Sequence, residues 1–402
     1  MSDSSTTRRY DRRYTIVTCS FIMQGVIIGS MFAYGVFFPF LEAEFGWSRT
    51  ELSGCISMAM FIMGVFAFPG GYLIDKFGPR WILSVTGLLT ALGYVLMSTL
   101  SAPWQLYVYF GLLIGLGLST HDVGTLSIIA RIFSKRRGIM SGVVKVGTAC
   151  GQMVIPLAVT ALIAVVDWRG AFVVLGVVAG IVLLAAAQGL RPEGLGPTSE
   201  DEADARPIPR AIDFRQATRM PQFWLLCLAQ FCFLPTLVTI PVHLPVHGVD
   251  LGMTVTGAAT LLTLVGGASA VGRLVVGRIA DWRGGRVALM ICLATLGATL
   301  LFLTIAQTAI ALYVFAFIYG FAHGGLFTVV SPTVAEYFGM RAHGAIFGAI
   351  VLSGTLGAAL GPVAAGRVYD LMQSYDPAFL GLAALSFLGF VGLAFVRPPQ
   401  TT

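Results

Sequence analysis

Twelve stretches of this chain are apolar for about twenty residues or more, the length a helix needs to span a bilayer. The first six run over about 14–40, 52–74, 81–100, 105–133, 138–166 and 170–190. The second six run over about 223–247, 254–280, 287–306, 309–338, 344–369 and 377–396. Composition agrees with that reading: 56% of residues are hydrophobic and only 11% charged, where soluble domains carry about 25%. Too little polar surface is left to cover a soluble particle of this size. The 48 glycines suit close helix–helix contact in lipid, where small residues let backbones approach. The expectation is an all-α polytopic membrane protein with twelve transmembrane helices.

The polar residues divide the chain. Residues 1–13 are read as a loose basic tail, 14–190 as an N-terminal six-helix bundle, and 191–222 as a linker rich in Pro, Glu, Asp and Arg. Residues 223–396 form the C-terminal six-helix bundle and 397–402 a short tail. Of the 25 Lys and Arg residues, 20 fall on one side of this topology. Arg49, Arg169 and Arg367 fall on the other, and Lys145 and Arg273 lie within helices. The positive-inside rule then places both termini and the linker in the cytoplasm, in an inner (plasma) membrane. The first apolar run is too long for a signal-peptide core and lacks a small-residue cleavage site, so it reads as a retained helix. Cys19, Cys55, Cys150, Cys227, Cys232 and Cys292 all lie in apolar runs without metal-binding spacing, and neither disulfides nor a metal is expected.

The two halves repeat each other. Gly71-Tyr72-Leu73-Ile74-Asp75-Lys76-Phe77-Gly78-Pro79-Arg80 returns, 206 positions later, as Gly277-Arg278-Ile279-Ala280-Asp281-Trp282-Arg283-Gly284-Gly285-Arg286. At the same offset Gly138-x-x-x-Gly142 returns as Gly344-x-x-x-Gly348, and Pro156 as Pro362. Glycines permit tight turns. A fixed Asp and Arg can hold neighbouring helix ends through dipole and ion-pair contacts. The chain therefore reads as two pseudo-symmetric copies of one six-helix unit.

The ten-residue segment resembles the loop between helices 2 and 3 of the major facilitator superfamily of secondary transporters, whose repeated halves are well known. Further stretches resemble the monocarboxylate transporter family and its bacterial relatives, which include oxalate/formate exchangers. These are Tyr34-Gly35-Val36-Phe37-Phe38 with Glu44-Phe45-Gly46-Trp47-Ser48-Arg49, then Arg131-Ile132-Phe133-Ser134-Lys135-Arg136-Arg137-Gly138. Others are Val242-His243-Leu244-Pro245-Val246-His247, Gly272-Arg273, Ala335-Glu336-Tyr337-Phe338-Gly339, Gly361-Pro362 and Tyr369-Asp370. The resemblance implies alternating access, with six helices rocking against six around a central site. It also implies that Gly71, Asp75, Gly78 and Arg80, with Arg131, latch and release helix ends during gating, as do Gly277, Asp281 and Arg286. The sequence departs from relatives in places. Thr120-His121-Asp122 stands where they carry an aromatic or amide. Helix 1 has Gln24 rather than a lysine, helix 11 has no lysine, and Ser269 replaces an aspartate one turn before Arg273.

Ionisable groups at membrane depth cost roughly 3 kcal/mol each and are functional hypotheses by default. Three are central. At about 1.5 Å of rise per residue, Asp122 lies about 15 Å from the cytoplasmic end of helix 4, and Lys145 and Arg273 about 12 Å from the ends of helices 5 and 8. For Arg273 the expected role is a carboxylate clamp, because a guanidinium stays charged and offers a planar fork. Lys145 and Asp122 admit three readings. They form a neutralised structural pair; or an incoming anion takes Lys145 and Asp122 then binds a proton; or Lys145 contacts a second carboxylate directly. Thr120, Gln24 and Ser269 are further candidate substrate contacts, and His121 could assist proton transfer. His243, His247 and His323 read as packing or mouth residues.

The function so reached is a secondary transporter of a small organic monocarboxylate with proton symport, and not an enzyme, since no nucleophile–base constellation shares one layer. The expected partners are the organic anion, a proton and the lipid bilayer, with no cofactor and no nucleic acid, in a monomer. The alternatives are a dicarboxylate exchanger, a proton-driven drug exporter and an organic-acid sensor. Against the exporter, whose family motif has proline directly after the second glycine, Gln152 follows Gly147-x-x-x-Gly151 here.

Overall fold

Helices form here because a bilayer offers the backbone no water, so every N–H and C=O must bond within its own segment. The computed structural model describes residues 3–47, 49–192, 195 and 212–396. Most of the expected linker (193, 194 and 196–211) and the tail 397–402 lie outside the described residues. In chain order the helices are α1 (Asp3–Phe45), α2 (Arg49–Phe77), α3 (Pro79–Met97) and α4 (Pro103–Ile132). A continuous stretch, Arg137–Gly189, is broken at Asp167 (φ 63°, ψ 178°) into α5 (137–166) and α6 (168–189). Then follow α7 (Pro221–Asp250), α8 (Val255–Arg283), α9 (Gly285–Leu303), α10 (Ala309–Phe338), α11 (His343–Met372) and α12 (Asp376–Ala394). Among the described residues, the Asp167 break is what turns eleven long apolar segments into twelve spans. There the Asp167 carboxylate accepts the Gly170 N–H (2.8 Å) and caps α6.

Large apolar side chains cover the surface rather than hide from it. Val165 is 80% exposed, Ile310 77% and Val363 74%, a surface that water would penalise and lipid accepts. The chain is an integral membrane protein.

Two boundaries differ from the sequence expectation. Residues 3–13 extend α1 instead of forming a loose tail. The buried Arg13 anchors that extension: its guanidinium donates to the Ile132 carbonyl at the end of α4 and lies 4.6 Å over the Phe133 ring. The repeated ten-residue segments are not loops but the last turns of α2 and α8. Only Gly78 (φ 83°) and Gly284 (φ 95°) leave the helix, each followed at once by the next helix.

Close-packed residues fall into two compact units. One holds Met1–Ser134, Val143–Asp204 and His343–Gly348; the other holds Lys135–Gly142, Ala205–Ala342 and Ala349–Thr402. The first turns of α5 and α11 thus pack in the unit that does not hold the rest of their helix. Small residues decide these contacts. A Cβ at Gly71 would stand 2.1 Å from the Gly344 carbonyl oxygen, and one at Gly277 2.4 Å from that of Gly138. Within the first unit α5 crosses α1 backbone to backbone, with a Cβ at Gly151 only 2.0 Å from the Gly25 carbonyl oxygen. Gly147 and Gly151 therefore serve close packing inside one unit. Replacing Gly151 by Ala should force α1 and α5 apart at a cost of about 1–3 kcal/mol. The readout is melting of the purified protein in detergent, and an unchanged melting temperature would contradict the contact.

Candidate substrate and proton site

In the first unit the buried polar residues gather around Asp122. α4 is irregular on the way there. Residues Tyr107–Ile114 wind in wide π-type turns, and the helix breaks at Ser119–Thr120 before restarting at His121–Ile132. Such irregular stretches are frequent at functional sites. Asp122 lies in the first turn of the restarted helix, its side chain 26% exposed. The Lys145 ammonium, 5% exposed, donates to Asp122 Oδ1. Gln24 of α1 is fully buried. Its Nε2 donates both to Asp122 Oδ1 (2.8 Å) and to Thr125 Oγ1 (2.8 Å), while its Oε1 accepts from Thr148 Oγ1 (3.3 Å).

His121 is buried too. Its Nδ1 meets the Leu118 carbonyl, and its Nε2 lies 3.5 Å from Asp122 Oδ1. An ideal helix points these neighbouring side chains about 100° apart, yet the imidazole still reaches within 3.5 Å of the carboxylate. Thr120 does not line the cluster. Its hydroxyl bonds that of Thr86 on α3 (2.8 Å), and its methyl occupies the space beside Gly70. It braces α4 between α2 and α3.

In the second unit Arg273 of α8 is buried, 4% exposed, with Ser269 one turn earlier at 2%. Ser269 Oγ lies 3.2 Å from His323 Nδ1 on α10, and His323 stacks at an angle between Tyr319 (5.6 Å) and Phe327 (5.1 Å). Glycine makes this proximity possible: a Cβ at Gly324 would stand 2.0 Å from the Ser269 carbonyl oxygen, and one at Gly272 2.1 Å from that of Phe321. His323, set aside in the sequence as a packing residue, therefore belongs with Ser269 and Arg273. The signal that could have found it is Gly324 beside it. His243 stays with the packing residues, its ring nitrogens 3.2 Å from Tyr375 Oη and from the Pro362 carbonyl.

The repeated motif splits into two jobs. Asp75 accepts the N–H groups of Gly344 (3.1 Å) and Ala345 (2.9 Å) in the first turn of α11. Asp281 accepts those of Gly138 (2.6 Å) and Ile139 (3.0 Å) in the first turn of α5. Both carboxylates thus meet orphan donors and the positive end of a helix dipole. Arg131 stands 3.9 Å from Asp75 Oδ1. The motif arginines point elsewhere. Arg80 donates to Gln188 of α6 (2.7 Å), and Arg286 donates to the Leu393 (2.9 Å) and Ala394 (2.7 Å) carbonyls that end α12. Arg80 and Arg286 tie α3 to α6 and α9 to α12; among the described residues neither holds an aspartate. Two residues given no role in the sequence join these ends. Glu336 accepts the Gly285 N–H (2.8 Å), and the fully buried His343 meets Ser127 Oγ (2.8 Å). Asp75→Asn and Asp281→Asn should each destabilise the protein by about 1 kcal/mol through lost capping. Melting in detergent reads this, and the Asp75→Asn/Asp281→Asn double variant should show additive losses. A loss under half of that size would sink the capping role.

A sequence profile described as Major Facilitator Superfamily matches residues 20–362 and 283–402. The chain belongs to the major facilitator superfamily. Among curated relatives, Monocarboxylate transporter 13 of Rattus norvegicus is 28% identical over 386 residues, covering 94% of this chain and 87% of the relative. Monocarboxylate transporter 4 of Gallus gallus is 26% identical over 373 residues, covering 90% and 77%. The MFS-type transporter opdF of Penicillium oxalicum is 27% identical over 366 residues, covering 88% and 82%. Among solved structures, the transporter FucP in its outward conformation superposes with a TM-score of 0.75 at 17% identity, covering 96% of this chain and 99% of that one. The proton:xylose symporter XylE gives 0.73 at 15%, covering 97% of each. At those identities the structures establish the fold alone. The chain is a transporter of this superfamily, resembling the monocarboxylate transporters, and not an enzyme.

Proposed function

We propose that this transporter moves a small organic monocarboxylate together with a proton, by alternating access. The observation that carries the reading is the Lys145–Asp122 pair, its ammonium buried and its carboxylate largely so. One amine and one acid are matched at membrane depth, where each charge is costly without the other. An anion that draws Lys145 to itself leaves Asp122 in a site where a lone carboxylate is disfavoured, and a proton restores neutrality. One carboxylate then travels with one proton. In the second unit Arg273 offers a planar fork that suits a carboxylate, and the hydroxyl of Ser269, backed by His323, lies one turn away as a further polar contact. Monocarboxylate transporters among the relatives support the substrate class. The engagement of Lys145 by Asp122 favours one carboxylate over two.

The charge count supports an inner (plasma) membrane orientation with both termini in the cytoplasm. Asp75 and Asp281, which hold the first turns of α11 and α5, serve as the gating latches in this reading.

Purified protein in liposomes should take up labelled L-lactate, pyruvate or a longer branched monocarboxylate faster when an inward proton gradient is imposed. Uptake of oxalate that ignores the gradient and requires an anion inside would make the protein an exchanger instead.

A further inference from the structure

The hydrogen bonds at Asp122 are not shared evenly between its two oxygens. Oδ1 receives the Lys145 ammonium and the Gln24 amide, and it is the oxygen nearest His121 Nε2 at 3.5 Å. Among the described residues no hydrogen bond reaches Oδ2. Lys145 and His121 are the ionisable groups that face this carboxylate, from α5 and from α4 itself, and Gln24 is the polar group that faces it from α1.

Gln24 is locked in one orientation. Thr125 spends its hydroxyl proton on the His121 carbonyl (2.6 Å), so its oxygen can only accept from Gln24. Thr148 donates to the other end of the amide. Flipping the amide would place Oε1 against Asp122 Oδ1 and a hydroxyl with no proton to offer, leaving three acceptors facing one another. The amide nitrogen therefore remains a fixed donor to Oδ1. Unlike Lys145, an amide carries no charge that an anion could attract away.

From this juxtaposition we infer that Gln24 is a positioning residue for proton coupling: it keeps Oδ1 occupied throughout the cycle, directs the proton to Oδ2, and sets the pH at which Asp122 takes it. This rests on the reading of Asp122 as the proton-coupling group. The step balances simply. Asp122 Oδ2 gains a proton from water as Lys145 leaves; the carboxyl carbonyl Oδ1 goes on accepting from Gln24, and the proton returns to water on the other side when Lys145 comes back. A donor fixed on Oδ1 favours the ionised form, so removing it lets protonation begin at higher pH.

Infrared titration of the full-length protein in liposomes tests this without a substrate. The carboxylic acid band that is absent in Asp122→Asn belongs to Asp122, and its midpoint is followed in four proteins: wild type, Gln24→Leu, Lys145→Ala and Lys145→Ala/Gln24→Leu. The Lys145→Ala background mimics the state in which the lysine has been drawn off. The expected result is a midpoint about one pH unit higher whenever Gln24→Leu is present, the size of one charge-assisted hydrogen bond. Thr148→Val, which only loosens the amide, should shift the midpoint the same way by less, and it serves if Gln24→Leu does not fold. A midpoint that does not move with either variant, or lower protein stability as their only effect, overturns the inference. Uptake of L-lactate and pyruvate by wild type and Asp122→Asn, with and without a proton gradient, is measured in parallel. If gradient-driven uptake persists in Asp122→Asn, the coupling reading itself fails; coupling intact with an unmoved midpoint removes only the role of Gln24.

Discussion

Replacing Arg273 by Ala should lower the initial rate of gradient-driven uptake about 30-fold to several thousand-fold, the range that truncating one partner of a buried charge pair spans at about 2–5 kcal/mol. The guanidinium is buried, so a carboxylate meeting it is shielded from water and the pair is strengthened by the low dielectric. Arg273→Lys keeps the charge but not the planar fork, and one point donor cannot reproduce two parallel hydrogen bonds. It should recover only part of the rate, with the loss appearing mainly as weaker binding. Uptake of labelled acid into liposomes, corrected for the amount of folded protein, reads both variants. Near-normal uptake in Arg273→Ala would remove the clamp and move the anion site to Lys145.

The second large effect concerns coupling rather than rate. Asp122→Asn should abolish accumulation driven by a proton gradient and leave exchange of labelled for unlabelled acid intact, because an amide cannot take up and release the proton. The substitution also strips Lys145 of its counter-charge, and breaking a buried pair costs about 3–5 kcal/mol, so melting should fall with it. The double variant Asp122→Asn/Lys145→Met separates the two effects. Stability should return once no lone charge is buried, while coupling stays lost. Coupling that survives in either protein would make Asp122 and Lys145 a structural pair.

Much of the architecture is legible in the sequence alone. Twelve apolar runs and a deficit of charge leave a bilayer helix bundle as the fold, since neither survives in water. The offset of 206 residues, shared by a charged segment, a glycine pair and a proline, shows two copies of one unit. Asp122, Lys145 and Arg273 could be picked out because ionisable residues are rare in such runs.

The reading of the repeated segment as a turn failed for an instructive reason. Glycine serves both positive φ and close approach, and the two uses look alike in sequence. Gly78 and Gly284 serve the first use, while Gly71 and Gly277 serve the second, against backbone carbonyls far along the chain. Asp75 likewise meets N–H groups at positions 344 and 345, and no spacing rule reveals a partner that is backbone.

The sequence by itself determined the solvent, the secondary structure, the twofold repeat and the identity of the buried charges, because transfer into lipid depends on composition summed along a run. Only the tertiary structure decided who meets whom: Gln24 with Asp122, Thr120 with Thr86, His323 with Ser269, and the motif arginines with α6 and α12. Those pairings depend on the rotational phase of each helix. That phase is set by backbone breaks at Ser119–Thr120 and Asp167 and by carbonyl-to-glycine crossings, whose effects an ideal 3.6-residue period does not carry.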